Sequence, residues 1–205
     1  MRVLSVFIFL SPLLAFGDVS LYHPYHKEIC EWQKFYKEQF GIQRSLSSIK
    51  VPKPTPGFNR LLIIFPDLKS EQIFNRIDKA IMAKSEVVTT ESVELKTVAS
   101  EPSFSKNYAV WVKNGVESDL SIAPDNPDKL LIITLEERLI LELKYFSETG
   151  NHLDIARYTH CLNSRDPWQN YIVVTWYPVQ LNFAVKQGGA FGWFNGEVPT
   201  REVIR

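Results

Sequence analysis

Cysteine is nearly absent from this chain, with only Cys30 and Cys161 in 205 residues. A disulfide framework of the kind that staples small secreted domains is therefore excluded. One bridge closing a long loop, or two separate buried thiols, both stay open. Net charge is missing as well: Lys and Arg number 23, and so do Asp and Glu. That balance, without runs of one sign, excludes a non-specific binder of nucleic acid or of an anionic membrane surface. Long apolar stretches are also lacking. No segment after the first seventeen residues approaches the roughly 20 needed to cross a bilayer. Internal repeats and low-complexity tracts do not occur. What remains is a chain of ordinary composition, of a size that buries about 70% of its unfolded surface and builds a core without cross-links.

The N-terminus is different from the rest. Arg2 precedes an apolar run over residues 3–10, which Ser11-Pro12 interrupts before Leu13-Leu14-Ala15-Phe16-Gly17. Ala15 and Gly17 are small residues at the −3 and −1 positions of a cleavage site, so residues 1–17 are expected to be a signal peptide. The chain is then secreted or periplasmic, with no membrane span after cleavage. The alternative is a cytoplasmic protein, or one anchored by an uncleaved N-terminal segment.

Residues 18–50 are expected to form an N-terminal helical arm. Pro24 suits a helix start, Tyr25, Ile29, Trp32, Tyr36 and Phe40 share one face, and Gly41 ends it. Alternating prolines over 51–57 make a stiff connector. Residues 58–205 form a single domain. It opens with a buried strand at 60–65 and a helix carrying Ile73, Phe74, Ile77 and Ile81, with Ser70 as its cap. A β-branched stretch at 87–98 and a strand at 108–112 follow, then a proline-bearing loop at 122–128.

The strongest local signal is a helix from Thr134 to Gly150. Thr134 and Glu137 make a capping box, Glu136 adds charge to the first turn, and Gly150 suits a left-handed C′ position. Leu135, Leu139, Leu143 and Phe146 recur at helical spacing, with Ile140, Leu141 and Tyr145 widening the apolar surface, so the helix is expected to be buried on more than one side. Glu137 is accounted for by the cap, and Glu142 by a solvent face. Strands are expected at 171–176, 180–186 and 191–194, with a turn at Gln187-Gly188-Gly189. The fold class is α+β: helices packed on a mostly antiparallel sheet with a C-terminal β-meander.

From about Trp32 onward the chain resembles a group of short bacterial hypothetical proteins. The segments that carry the resemblance are FYKEQFG, GFNRLLII, YAVWVKNGVESD, ITLEERLILELKYFSETGNHLD, THCLNSRD and REVIR. The resemblance implies one compact unit. The group has no assigned activity, substrate or cofactor, so no functional residue carries over. Where its pattern has a small loop of glycine, serine and aspartate, this chain has Arg165-Asp166-Pro167-Trp168-Gln169-Asn170, and the signal-like start is an addition.

Candidate chemistry gathers in two places. His152, Asp154, His160 and Cys161 lie within ten positions and are all zinc-ligand types. They also contain the parts of a cysteine nucleophile, with His152 as base and Asp154 or Asn151 orienting it, because His160 and Cys161 point to opposite faces of a strand. Against a metal-dependent or cysteine hydrolase stand simpler roles: Asp154 as a helix cap and His152 on the last carbonyls of the Thr134 helix. The second place is a set of aromatics, Trp168, Trp176, Tyr177, Trp193 and Phe194, interleaved with Asn170, Gln180, Asn182 and Asn195. Rings beside amides suit a carbohydrate, a peptide or a protein partner, although filling the core of a small sheet is the more usual fate of such residues. Arg165 and Arg201 are expected to pair with Asp166 and Glu202 at the surface. No catalytic signature stands out, so the expectation is a non-catalytic binding protein without a cofactor.

Overall fold

Hydrophobic patterning and turn chemistry place most elements where the chain builds them. The computed structural model describes residues 23–84, 86–91, 93–122, 131–188 and 197–205. Residues 1–17, most of the loop after Ile122, Trp193 and the strand expected at 191–194 lie outside these. The described residues fall into two units, one ending at Ser48 and one beginning at Ile49.

In the first unit, helix α1 spans His26–Phe40 and buries Ile29, Trp32, Phe35 and Tyr36. Trp32 and Phe35 meet edge to face with centroids 5.2 Å apart, and Phe35 meets Tyr36 likewise at 5.4 Å. Gly41 ends the helix at φ 70°, a left-handed geometry that costs glycine little, and its N–H bonds back to the Lys37 carbonyl.

The second unit is α+β. Strand β1 (Arg60–Ile64) is followed by helix α2 (Ser70–Met82), then β2 (Val87–Glu91), a 3₁₀ turn at Leu95–Thr97, and the short β3 (Ala99–Ser100). Strands β4 (Tyr108–Val112) and β5 (Asp119–Ile122), helix α3 (Leu135–Thr149) and strands β6 (Tyr158–Arg165), β7 (Tyr171–Tyr177), β8 (Asn182–Gly188), β9 (Glu197–Thr200) and β10 (Val203–Ile204) complete it. They form a three-stranded sheet β1-β4-β10, a five-stranded sheet β2-β8-β7-β6-β3 and a pair β5-β9. All pairings are antiparallel except β2 with β8. Strands β6, β7 and β8 form the meander, and α2 and α3 pack on each other and on the sheets. Among the described residues no helix is long and apolar enough to cross a membrane.

Three expectations need correction. The meander begins one strand earlier, at β6, whose polar sequence YTHCLNSR hides alternating burial of Thr159 and Cys161 before a bulge shifts the register after Cys161. The β-branched stretch at 87–98 is a strand only as far as Glu91, and Leu95 instead opens the 3₁₀ turn. Ser70 is not a cap. Lys69 takes that place, its N–H bonded to Gln72 Oε1, while the buried Ser70 hydroxyl donates to Glu136 Oε1 at 2.6 Å and ties α2 to α3.

Helix α3 has the expected ends. Thr134 Oγ1 accepts from Glu137 N at 3.3 Å, Glu137 Oε2 accepts from Thr134 N at 2.8 Å, and Gly150 at φ 70° donates to the Phe146 carbonyl. Its apolar stripe is buried as well, but so are Glu137, Arg138 and Glu142, which are all 0% exposed.

Candidate functional site

Arg138 and Glu142 are one helical turn apart, so they share a face of α3, and that face looks inward. The chain after Gly150 folds back over it and delivers His152 and Asp154, while the link from β9 to β10 delivers Arg201. Asp154 adopts φ 57° to make the turn. Its Oδ2 accepts from Arg138 Nε (3.1 Å), Arg138 Nη2 (2.8 Å) and Thr159 Oγ1 (2.6 Å). Its Oδ1 accepts from Ser118 N and Arg201 Nη2, both at 2.8 Å. Burial alone raises a carboxyl pKa, but the Arg138 and Arg201 guanidiniums outweigh it and hold Asp154 below its usual range.

From there the network continues outward. Arg138 Nη1 donates to Glu142 Oε2 at 2.8 Å, and Glu142 Oε1 lies 2.8 Å from His152 Nδ1. His152 Nε2 lies 3.0 Å from Glu86 Oε2, and the imidazole stacks on Trp176 with centroids 3.7 Å apart at 12°. Arg201 also donates to the Gly115 and Val116 carbonyls. Asp154 and Glu142 each face a guanidinium from the same chain, whereas Glu86 joins the cluster through His152 alone.

The four residues proposed for hydrolytic or zinc chemistry are thereby separated. His152 and Asp154 belong to this network through Glu142 and Arg138. Asp154 caps no helix, and His152 meets carboxylates rather than helix carbonyls. His160 points elsewhere, with Nδ1 3.3 Å from the Pro199 carbonyl, and burial lowers its pKa. Cys161 is 0% exposed, and burial pushes its thiol well above the ordinary value, the opposite of what a nucleophile requires. Among the described residues no three His, Cys, Asp or Glu side chains are placed to hold a metal ion. Glu142 is not on a solvent face, and Arg201 is not a surface partner of Glu202, which pairs with Lys113 instead. Arg165 lies over the Tyr171 ring at 3.4 Å. Asp166 binds Trp168 N, Asn170 N and the Asn170 amide, fixing the turn.

The aromatic platform is divided too. Trp176 is 6% exposed because His152 covers it, whereas Trp168 is 73% exposed on the β6–β7 turn. Tyr177 is half-buried, and its hydroxyl accepts from Lys186 Nζ. Trp176 belongs to the core and shares no open face with Trp168.

An open concavity lies elsewhere in this unit. A cleft of about 310 Å³ runs between the end of β1 (Ile64, Phe65, Pro66), the start of α2 (Leu68, Lys69), residues 98–104, Tyr108 and the start of α3 (Thr134, Glu136). Phe104 and Tyr108 form a tilted ring pair with centroids 4.0 Å apart. The Tyr108 hydroxyl donates to Glu137 Oε1 at 3.1 Å, and burial with the neighbouring Glu137 carboxylate raises its pKa, so it stays a donor. Arg205 Nη2 donates to both Glu137 oxygens at 3.1 and 3.0 Å. Burial nonetheless outweighs Arg205 and keeps the Glu137 pKa raised. Lys69 Nζ is turned to the Pro66 carbonyl at 3.3 Å. The lining thus joins aromatic and proline walls to a small polar set of Ser100, Ser103, Glu101, Lys69 and Glu136.

Sequence reasoning missed this cleft because it is assembled from the ends of elements. The signal that pointed to it was slight: prolines at 66 and 102 and an isolated Phe104 in a stretch without periodicity. No family model, no curated protein and no solved structure matches the chain.

Proposed function

We propose that the protein is an exported, non-catalytic binding protein, and that its ligand sits in the cleft between β1, α2, residues 98–104 and the start of α3. The observation that carries this reading is the lining itself. Rings and prolines supply stacking and apolar area, and a few side chains supply orientation, the usual composition of a small-molecule site. The alternative centre, the Arg138–Asp154–His152 network, has each of its ionic groups spent on the others.

The polar set narrows the ligand. Glu136 and Glu101 bring carboxylates to the lining, with Glu136 Oε1 already accepting from Ser70, and Lys69 is engaged by a carbonyl. A ligand with a flat apolar body and a cationic, hydrogen-bond-donating end matches, because an ammonium is drawn both to carboxylates and to ring faces. Export rests on residues 1–17, and mass measurement of the chain recovered from outside the cytoplasm tests it by the loss of those residues.

The binding test is a nuclear magnetic resonance screen of aromatic amines against matched aromatic acids. Amines are expected to shift the amide signals of residues 98–104 and 134–136. Phe104→Ala and Glu136→Gln are each expected to weaken them about tenfold. Acids binding as well as amines, or shifts confined to other surfaces, would remove the proposal.

A further inference from the structure

Both ring nitrogens of His152 face carboxylates, Nδ1 toward Glu142 at 2.8 Å and Nε2 toward Glu86 at 3.0 Å. A neutral imidazole has one N–H and one lone pair, so it would set that lone pair against an ionised oxygen. Only the imidazolium donates to both. The surroundings favour the cation in two further ways. The ring lies flat on the Trp176 indole, whose face attracts positive charge. Three carboxylates, Glu86, Glu142 and Asp154, stand against two guanidiniums, Arg138 and Arg201, so a charged His152 makes the cluster neutral.

We propose that His152 is a buried imidazolium latch that fastens the segment leading into β2 onto α3, and that its deprotonation releases Glu86 and loosens the β2 edge of the five-stranded sheet. The two bonds of the ring are unequal in what else supports them. Glu142 is fully buried and is held by Arg138 as well, whereas the Glu86 side chain is 13% exposed and reaches water when it lets go. Strand β2 has β8 on one side only, and Val87 is 51% exposed. Strand β2 is also held by the ladder to β8, the bond from Val87 N to the Leu181 carbonyl, one from Thr89 Oγ1 to Asn182, and packing against α2. Loss of the Glu86 tie therefore acts at the start of an edge strand that is paired on one side.

The charged groups around the ring come from each packed element. Helix α3 brings Glu142 and Arg138, the segment before β2 brings Glu86, and the chain after α3 brings Asp154 with Arg201 behind it. The end of α2 brings Lys84, whose Nζ sits 4.5 Å over the Phe146 ring and bonds the Gly150 carbonyl. Strands β7 and β8 present Trp176 and Phe183 to the ring. Burial alone lowers the His152 pKa, but Glu142 first and Glu86 second outweigh it and raise the pKa above 6.5. A raised folded-state pKa means that the latch is fully closed below the ordinary value and opens as pH rises through the folded one.

The test combines ring-nitrogen resonances of His152 with hydrogen exchange of the β2 amides, corrected for intrinsic rate, in the wild type and in Glu86→Gln. The wild type is expected to show two ring N–H groups at pH 6.5 and below. Its β2 protection should then fall with rising pH by up to about tenfold for each pK unit separating folded from unfolded His152. In Glu86→Gln the amide can donate to a neutral Nε2, so β2 protection is expected to stay flat with pH. A single ring N–H throughout, flat wild-type protection, or an unchanged pH response in Glu86→Gln overturns the proposal. Should that variant fail to fold, the wild-type ring titration and exchange rates decide by themselves.

Discussion

Arg138 and Asp154, sixteen positions apart, meet inside the protein with two guanidinium nitrogens on a single carboxylate oxygen, at 3.1 and 2.8 Å. Both side chains are 0% exposed. A pair of this kind contributes little over an apolar replacement of the whole, but removal of one partner strands the other. Arg138→Met leaves Asp154 and Glu142 short of a cation, and is expected to destabilise the protein by about 3–5 kcal/mol in denaturant unfolding. A loss below about 1 kcal/mol would show that water or rearrangement supplies the missing charge.

Asp154 also sets an acid limb. Because Arg138 and Arg201 hold its folded pKa below the ordinary 3.8, its contribution is present above that value and disappears as pH falls through the lower folded one. Asp154→Asn resembles the protonated form. The stability gap between wild type and Asp154→Asn should therefore be widest near neutral pH and narrow as pH falls below 3.8. Thermal unfolding of both proteins across that interval measures it, and a constant gap would contradict the assignment.

How much of this was legible beforehand follows from how local each signal is. The ends of α3 depend on Thr134, Glu137 and Gly150, all within or beside the helix, and they stand as their chemistry dictates. The apolar stripe of the same helix was legible too, but its buried polar residues were not. Arg138 and Glu142 at i and i+4 look the same whether they pair in water or in the core, and the difference is made by Asp154 and Arg201 from other parts of the chain. Trp176 could be read either as core or as platform for a similar reason, since what covers it is a histidine from the loop after α3. Of strand β6 only the opposite facing of His160 and Cys161 was legible, because Thr159, His160, Asn163 and Ser164 are polar residues satisfied by neighbours that only the fold supplies. Ser164 Oγ, for example, accepts from Leu135 N at 2.7 Å.

The Ser70 hydroxyl, 2.6 Å from Glu136 Oε1, joins two helix starts at the rim of the cleft. Glu136 is partly open to water there, so its desolvation is incomplete, and Ser70→Ala should destabilise by about 1 kcal/mol rather than by the larger amount of a fully buried loss. A double-mutant cycle with Glu136→Gln isolates the bond. A coupling energy near zero would mean that water replaces the hydroxyl and that the helices are joined by packing alone.

Both cysteines are free thiols, in opposite surroundings. Cys30 is exposed, with Sγ 3.7 Å from His26 Nε2. Cys161 is fully buried, and its burial pushes the thiol pKa up, leaving almost no thiolate at neutral pH. A thiol-reactive chromogenic disulfide is expected to label one equivalent in the native protein and a second only after unfolding in denaturant. Cys30→Ser should remove the native reaction and leave the denatured one. Equal labelling rates would place Cys161 at an accessible surface, contrary to its position on β6. The absence of any reactive thiol, restored by reductant, would show instead that the chain carries a disulfide.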